Sequence, residues 1–135
     1  MSGLPYLGPG AVFDHVGVAV RSIRDLAPEV EVFDDGTQRV SVAFVDLAGL
    51  RLELIQPGAE PSPIDGNLQK GQALAHLCFR VPSLDVALQF ARDSGLHQLA
   101  RPVAATAFGG RRIAWLFNTT VGLVELLEDA ASSVA

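Results

Sequence analysis

The sequence predicts an α+β fold in which one βαβββ unit is written twice within a single domain. Three observations carry that prediction. Two β-rich runs each hold one histidine and lead into a serine: Asp14-His15-Val16-Gly17-Val18-Ala19-Val20 before Arg21-Ser22-Ile23, and Ala75-His76-Leu77-Cys78-Phe79-Arg80-Val81 before Pro82-Ser83-Leu84. Two later runs share one closing pattern, Leu52-Glu53-Leu54 and Val124-Glu125-Leu126. Between the copies, residues 57–72 hold three prolines and three glycines and read as a linker over the surface.

The first unit spans about 12–56. Its β-branched and aromatic runs predict strands at Val12 to Val20, Val40 to Asp46 and Leu50 to Ile55, with a short one near Val30 to Phe33. After Ser22, Ile23 and Leu26 begin a helical spacing, but Pro28 stops it within two turns. The second unit spans about 73–128, with strands at Ala73 to Val81, Arg112 to Asn118 and Gly122 to Leu127, and a short one near Gln98 to Arg101. Its helix is better signalled. Ser83 supplies a capping hydroxyl, Leu84, Ala87, Leu88 and Ala91 recur at helical spacing, and Gly95 can take the left-handed conformation that ends a helix.

Composition narrows the functional classes. A chain of 135 residues can bury a core without staples, and 49% hydrophobic with 19% charged residues excludes chain-wide disorder. Only the two ends look loose. Fifteen acidic against ten basic residues give a net charge of -5, and no run of Lys or Arg offers a footprint for nucleic acid. The single cysteine, Cys78, excludes an intrachain disulfide and points to a reducing compartment. There is no apolar run of about 18 residues for a membrane span and no secretory pattern in the first nine residues. The expectation is a soluble, cytoplasmic protein with neither nucleic acid nor membrane as partner.

Strand parity then isolates four residues. Side chains alternate between faces, so Val16, Val18 and Val20 pack beneath the helix while His15 projects the other way beside Gly17 and Ala19. His76 likewise shares a face with Cys78 and Arg80, opposite Leu77, Phe79 and Val81. Glu53 and Glu125 sit inside apolar strands, where an unpartnered carboxylate is costly. A lone strand histidine is more often structural than functional, but here both the His and the Glu recur at equivalent places. If a pseudo-twofold axis relates the units, His15, Glu53, His76 and Glu125 converge on it as an N2O2 donor set for one divalent ion: Zn, Co, Ni, Mn or Fe. Arg80 is expected to face the same space and hold an anionic part of a ligand. Cys78 lies in a predicted strand with nothing to lower its pKa and reads as unreactive, Gly109-Gly110 as a hairpin turn with no helix behind it to make a phosphate loop, and His97 as a solvated loop residue.

These runs resemble the vicinal-oxygen-chelate superfamily, and within it the methylmalonyl-CoA epimerase-like branch. Besides the segments already quoted, Ser62-Pro63-Ile64-Asp65-Gly66-Asn67-Leu68-Gln69-Lys70 in the linker looks like the epimerase linker, although a linker has no packing reason to keep that order. The resemblance implies eight strands curled into a cup around the metal, four ligands at His15, Glu53, His76 and Glu125, and a homodimer. It also implies enolate chemistry on a small acyl thioester such as an acyl-CoA, with Glu125 or Glu53 as the carboxylate that moves the proton. Two departures stand out. Val42 occupies the position matched to a second glutamate that some bacterial epimerases carry, and Asn118-Thr119-Thr120 replaces a His-Pro before the last strand. Two other readings of the same fold therefore stay open: a glyoxalase I-type lyase acting on a glutathione hemithioacetal, and a metal-free binding protein of the bleomycin-resistance kind.

Overall fold

A computed structural model describes residues 4–130. The elements follow in the order β1 (Val12–Ala19), α1 (Ile23–Leu26), β2 (Phe33–Asp35), β3 (Val40–Leu47), β4 (Leu50–Pro57), α2 (Asp65–Lys70), β5 (Leu74–Val81), α3 (Leu84–Asp93), β6 (His97–Gln98), β7 (Val103–Ala104), β8 (Arg112–Asn118) and β9 (Gly122–Glu128). All nine strands join one mixed sheet ordered β2-β3-β4-β1-β5-β9-β8-β6, with β7 also paired to β8.

The duplication is visible in the pairing. In each half the first strand pairs in parallel with the last, β1 with β4 and β5 with β9, and the remaining pairs within each half are antiparallel. The halves meet where β1 runs antiparallel to β5. The resemblance implied eight strands. Among the described residues the count is nine, because the second half's edge strand is broken into β6 and β7, both paired to β8. Pro102 lies in the break; it lacks the N–H a ladder needs.

Each half-sheet is backed by its helix. Ser83 caps α3 by accepting from the Val86 amide, and Leu84, Ala87, Leu88 and Ala91 bury against Leu116, Val124 and Leu126. Ser22 caps α1 in the same way, accepting from Asp25, but the helix is four residues long and its one buried residue, Ile23, packs with Ala43 and Leu54. Gly95 has φ +96, as the end of α3 requires.

Several expectations need adjustment. The strand placed at Val30 to Phe33 lies at Phe33–Asp35, because the hairpin register pairs Phe33 with Val42 and leaves Val30 and Val32 to pack from a loop. The linker holds a short helix, α2, closed by Gly71 at φ 69. His97 is exposed as expected, but in β6. Residues 1–3 and 131–135 lie outside the described residues, so the expectation of loose ends is tested only from Leu4. There the chain is pinned: Tyr6 donates its amide to Ser94 Oγ at 2.8 Å and sets its ring edge-on to Phe90, and Leu7 packs on the α3 core. Among the described residues no helix is long and apolar enough to cross a membrane.

Candidate metal centre

Strand register brings the four predicted residues to one point. Across the β1–β5 seam His15 pairs with Cys78 and Gly17 with His76, an exchange expected of two strands related by a twofold axis. Gly17 also pairs with Glu53 on β4, and Cys78 with Glu125 on β9. Each glutamate therefore lies beside the residue two positions after its own half's histidine. All four side chains are buried.

Their donor atoms form a tight group. His15 Nε2 lies 3.4 Å from Glu53 Oε1 and 3.3 Å from Glu125 Oε1, and His76 Nε2 lies 3.3 Å from each. The two Nε2 atoms are 3.4 Å apart. Four atoms about 2.0–2.1 Å from a common centre in a tetrahedral arrangement are separated by about 3.3–3.4 Å, a spacing that these five separations match. One atom is left over chemically. Glu125 Oε1 is buried and, although both Nε2 atoms are near, it makes no hydrogen bond. A buried carboxylate oxygen without a donor is costly, and a cation satisfies it. The residues present fit a divalent metal.

In the chain's own electrostatics, burial opposes charge on both imidazoles. Their contacts with Glu125 and Glu53 outweigh it, pushing His15 up to about 10 and His76 in the same direction. Burial would also raise Glu125, but His15 and His76 hold it below the usual carboxylate range.

The two histidines are held differently. His15 Nδ1 lies 2.7 Å from Asp14 Oδ2, the arrangement by which a carboxylate fixes a ligating imidazole with Nε2 aimed at the metal. Parity alone would put Asp14 on the opposite face. A bulge between Phe13 and His15 turns it inward, where Arg51 and Arg80 also bind it at 2.9 and 3.2 Å. Burial raises the Asp14 carboxyl, yet His15 and the two arginines hold it low. His76 is instead bounded by Trp115, ring edge to face at 4.8 Å, and by Gly17, where any Cβ would overlap its ring.

Glu53, His76 and Glu125 open onto a cleft of about 400 Å3, while His15 lies beneath with no exposed surface. Its walls are largely apolar, with Val42, Ile55 and Ile64 on one side and Val103, Phe108 and Trp115 on the other. Gln38, from the β2–β3 turn, accepts from Trp115 Nε1 at 2.9 Å and donates to the buried Asp35, tying the two halves together across the cleft.

Not every expectation on the site survives. Arg80 has the predicted parity but not the predicted depth: it does not line the cleft, and its guanidinium pairs with Asp14 and Asp129. The strand carries it past the floor of the cup. Cys78 is buried, and burial followed by the charges of Glu125 and Asp14 pushes its thiol far up, which leaves no thiolate for nucleophilic chemistry. Gly109-Gly110 does turn the chain, following a 3-10 turn over Thr106–Phe108 between β7 and β8. Asp14, Gln38 and Trp115 escaped the sequence reading. Only Asp14 left a signal there, an acidic residue inside a β-branched run.

The fold has known relatives. An uncharacterised Bacillus subtilis protein, YqjC, is 33% identical over 129 residues, which is 85% of this chain and 90% of that one. Human mitochondrial methylmalonyl-CoA epimerase is 35% identical over 72 residues, 52% of this chain, and that match spans 41% of the human protein. Methylmalonyl-CoA epimerase from Mycobacterium tuberculosis superposes with a TM-score of 0.73 at 26% identity over 87% of each chain. A Streptomyces coelicolor methylmalonyl-CoA epimerase variant in complex with 2-nitronate-propionyl-CoA superposes at 0.70, again at 26% identity, over 88% of this chain and 97% of that one. A family model matches residues 14–115, and the chain belongs to the Glyoxalase/Bleomycin resistance protein/Dioxygenase superfamily, in its methylmalonyl-CoA epimerase-like branch.

Proposed function

We propose that this chain is an enzyme that removes the acidic proton beside the carbonyl of a small acyl thioester or related carbonyl acid. The observation that carries the reading is the convergence of two carboxylates on the floor of an apolar cleft, with one oxygen of Glu125 buried and without a hydrogen bond. His15, Glu53, His76 and Glu125 would hold one divalent ion. When bound, that ion polarises a carbonyl and stabilises the enolate oxygen that deprotonation creates.

The chain's own residues supply the rest. Glu125 and Glu53 reach the cleft and are its candidates for taking the α-proton. The apolar walls exclude water and keep the acyl group against the floor. Val42 also lines the cleft, so the position matched to a second glutamate offers no proton acceptor. A ligating carboxylate is a weakened base, because a nearby cation favours its charged form. Removing a proton and returning it to the same face is then easier than delivering one to the other face. The homodimer implied by the resemblance belongs to the same reading, and sedimentation tests it.

The decisive experiment incubates one epimer of methylmalonyl-CoA with the protein in deuterated water, following deuterium uptake and inversion together. We expect uptake to outrun inversion. Inversion as fast as uptake would mean a second base that the reading of Val42 misses. No uptake at all would sink the epimerase-like reading, and turnover of a glutathione hemithioacetal would then favour lyase chemistry.

A further inference from the structure

The chain is acidic, with a net charge of -5, and most of its basic side chains are spent within it. Arg51 and Arg80 pair with Asp14, Arg112 pairs with Glu128, and Arg92 holds Gln98. Among the described residues, the side chains of Arg39 and Arg101 make no hydrogen bond or ion pair, and both residues line the cleft. Lys70 is also uncommitted, but it lies on α2 and outside the lining.

The two arginines come from opposite halves. Arg39 ends the β2–β3 turn, and Arg101 lies in the break between β6 and β7. Both are exposed, whereas the His/Glu cluster at the floor is buried, so they stand at the open end. Arg39 is placed by its backbone, whose carbonyl accepts from the Gly58 amide at 2.9 Å and from Ser62 Oγ at 2.8 Å. The one acid lining the cleft away from the floor, Asp35, is buried and engaged twice by Gln38. No further acid among the described residues lines the cleft.

We infer that Arg39 and Arg101 form an anion clamp at the mouth, and that the ligand carries an anionic group at the end remote from its reacting carbon. This rests on the function proposed above and narrows its substrate class: a reactive acyl end reaching the floor, an uncharged middle against apolar walls, and a distal anion held by guanidinium groups. The planar fork of arginine suits phosphate and carboxylate alike. The distal anion can therefore be a phosphate of coenzyme A or a carboxylate of glutathione.

The protein reports on its own cleft, because Trp115 is its only tryptophan and lines the wall. The metal-loaded wild type and the Arg39→Gln/Arg101→Gln double variant are titrated, by tryptophan fluorescence, with methylmalonyl-CoA, with methylmalonyl-pantetheine (which lacks the phosphates) and with S-lactoylglutathione. Near-exposed charge pairs of this kind support a loss of about tenfold in affinity for methylmalonyl-CoA in the double variant, with partial recovery when both positions are Lys. Methylmalonyl-pantetheine binds both proteins equally, and added salt weakens binding of the CoA form in wild type more than in the variant. Equal affinity of wild type and variant for methylmalonyl-CoA overturns the clamp and leaves the thioester reading standing. Binding of S-lactoylglutathione alone, lost in the variant, keeps the clamp, overturns the acyl-CoA epimerase-like reading and favours the lyase. Failure of the wild type to bind any of the three overturns both.

Discussion

The halves β1–β4 and β5–β9 share one topology, but they hold their metal-ligand candidates by different means. His15 is gripped by Asp14 and lies beneath the cleft, with Cys78 across the seam. His76 has Ala75 before it and Gly17 across from it; it opens to the cleft and rests on Trp115. The backing helices differ as well, four residues against ten. Backbone symmetry suffices to bring four donors together, while the surroundings of each donor are free to diverge. The result is one histidine anchored through Nδ1 by a carboxylate and one whose ring is set by packing on the side away from the cluster.

The largest expected effect breaks that difference at the seam. Gly17→Ala puts a methyl where the His76 ring lies, between two strands that cannot separate cheaply. We expect most of the metal to be lost and stability to fall by about 1–3 kcal/mol, read by elemental analysis and thermal melting. The pseudo-equivalent change, Cys78→Ala, removes an atom instead of adding one. It should cost about 1 kcal/mol and keep the metal.

Asp14 is the next lever. Asp14→Ala should weaken metal binding by about 10–100-fold. Asp14→Asn, which can still accept from His15 Nδ1, should lose less, as competition with a chromophoric chelator would show. If Asp14→Ala binds metal as tightly as wild type, the two histidines are anchored alike and the contrast between the halves fails.

The last effect, on pH, is confined to the metal-stripped protein. In the metal-stripped protein the His15 pKa is raised from 6.5 to about 10. Its contribution to stability is therefore complete below about 6.5 and disappears as pH rises through about 10. Melting of the stripped protein should fall across that window. A metal must displace protons from the histidines, so metal affinity should rise over the same range. A stripped protein whose melting temperature stays flat from pH 6.5 to 10 would contradict the ion-pair arrangement of the cluster.

The fold and the four clustered residues were legible in the sequence because both His and Glu recur at matching places in two strands, and strand parity is a strict rule. What stayed hidden depends on departures from that rule or on depth. The bulge that turns Asp14 inward breaks parity locally. Arg80 keeps parity but overshoots the floor, and parity says nothing about distance along a strand. The helix α2 buries none of its residues, so it writes no apolar stripe into the linker. The Gln38–Trp115 bond joins residues that meet only once the sheet has curled.

The proposed function depends on His15, Glu53, His76 and Glu125 holding one divalent ion. The most direct test is elemental analysis of the wild type, His76→Ala and Glu125→Ala, each shown by circular dichroism to be folded. About one divalent ion per chain is expected in the wild type, with most of it lost in both variants. Equal metal content in all three proteins would contradict it.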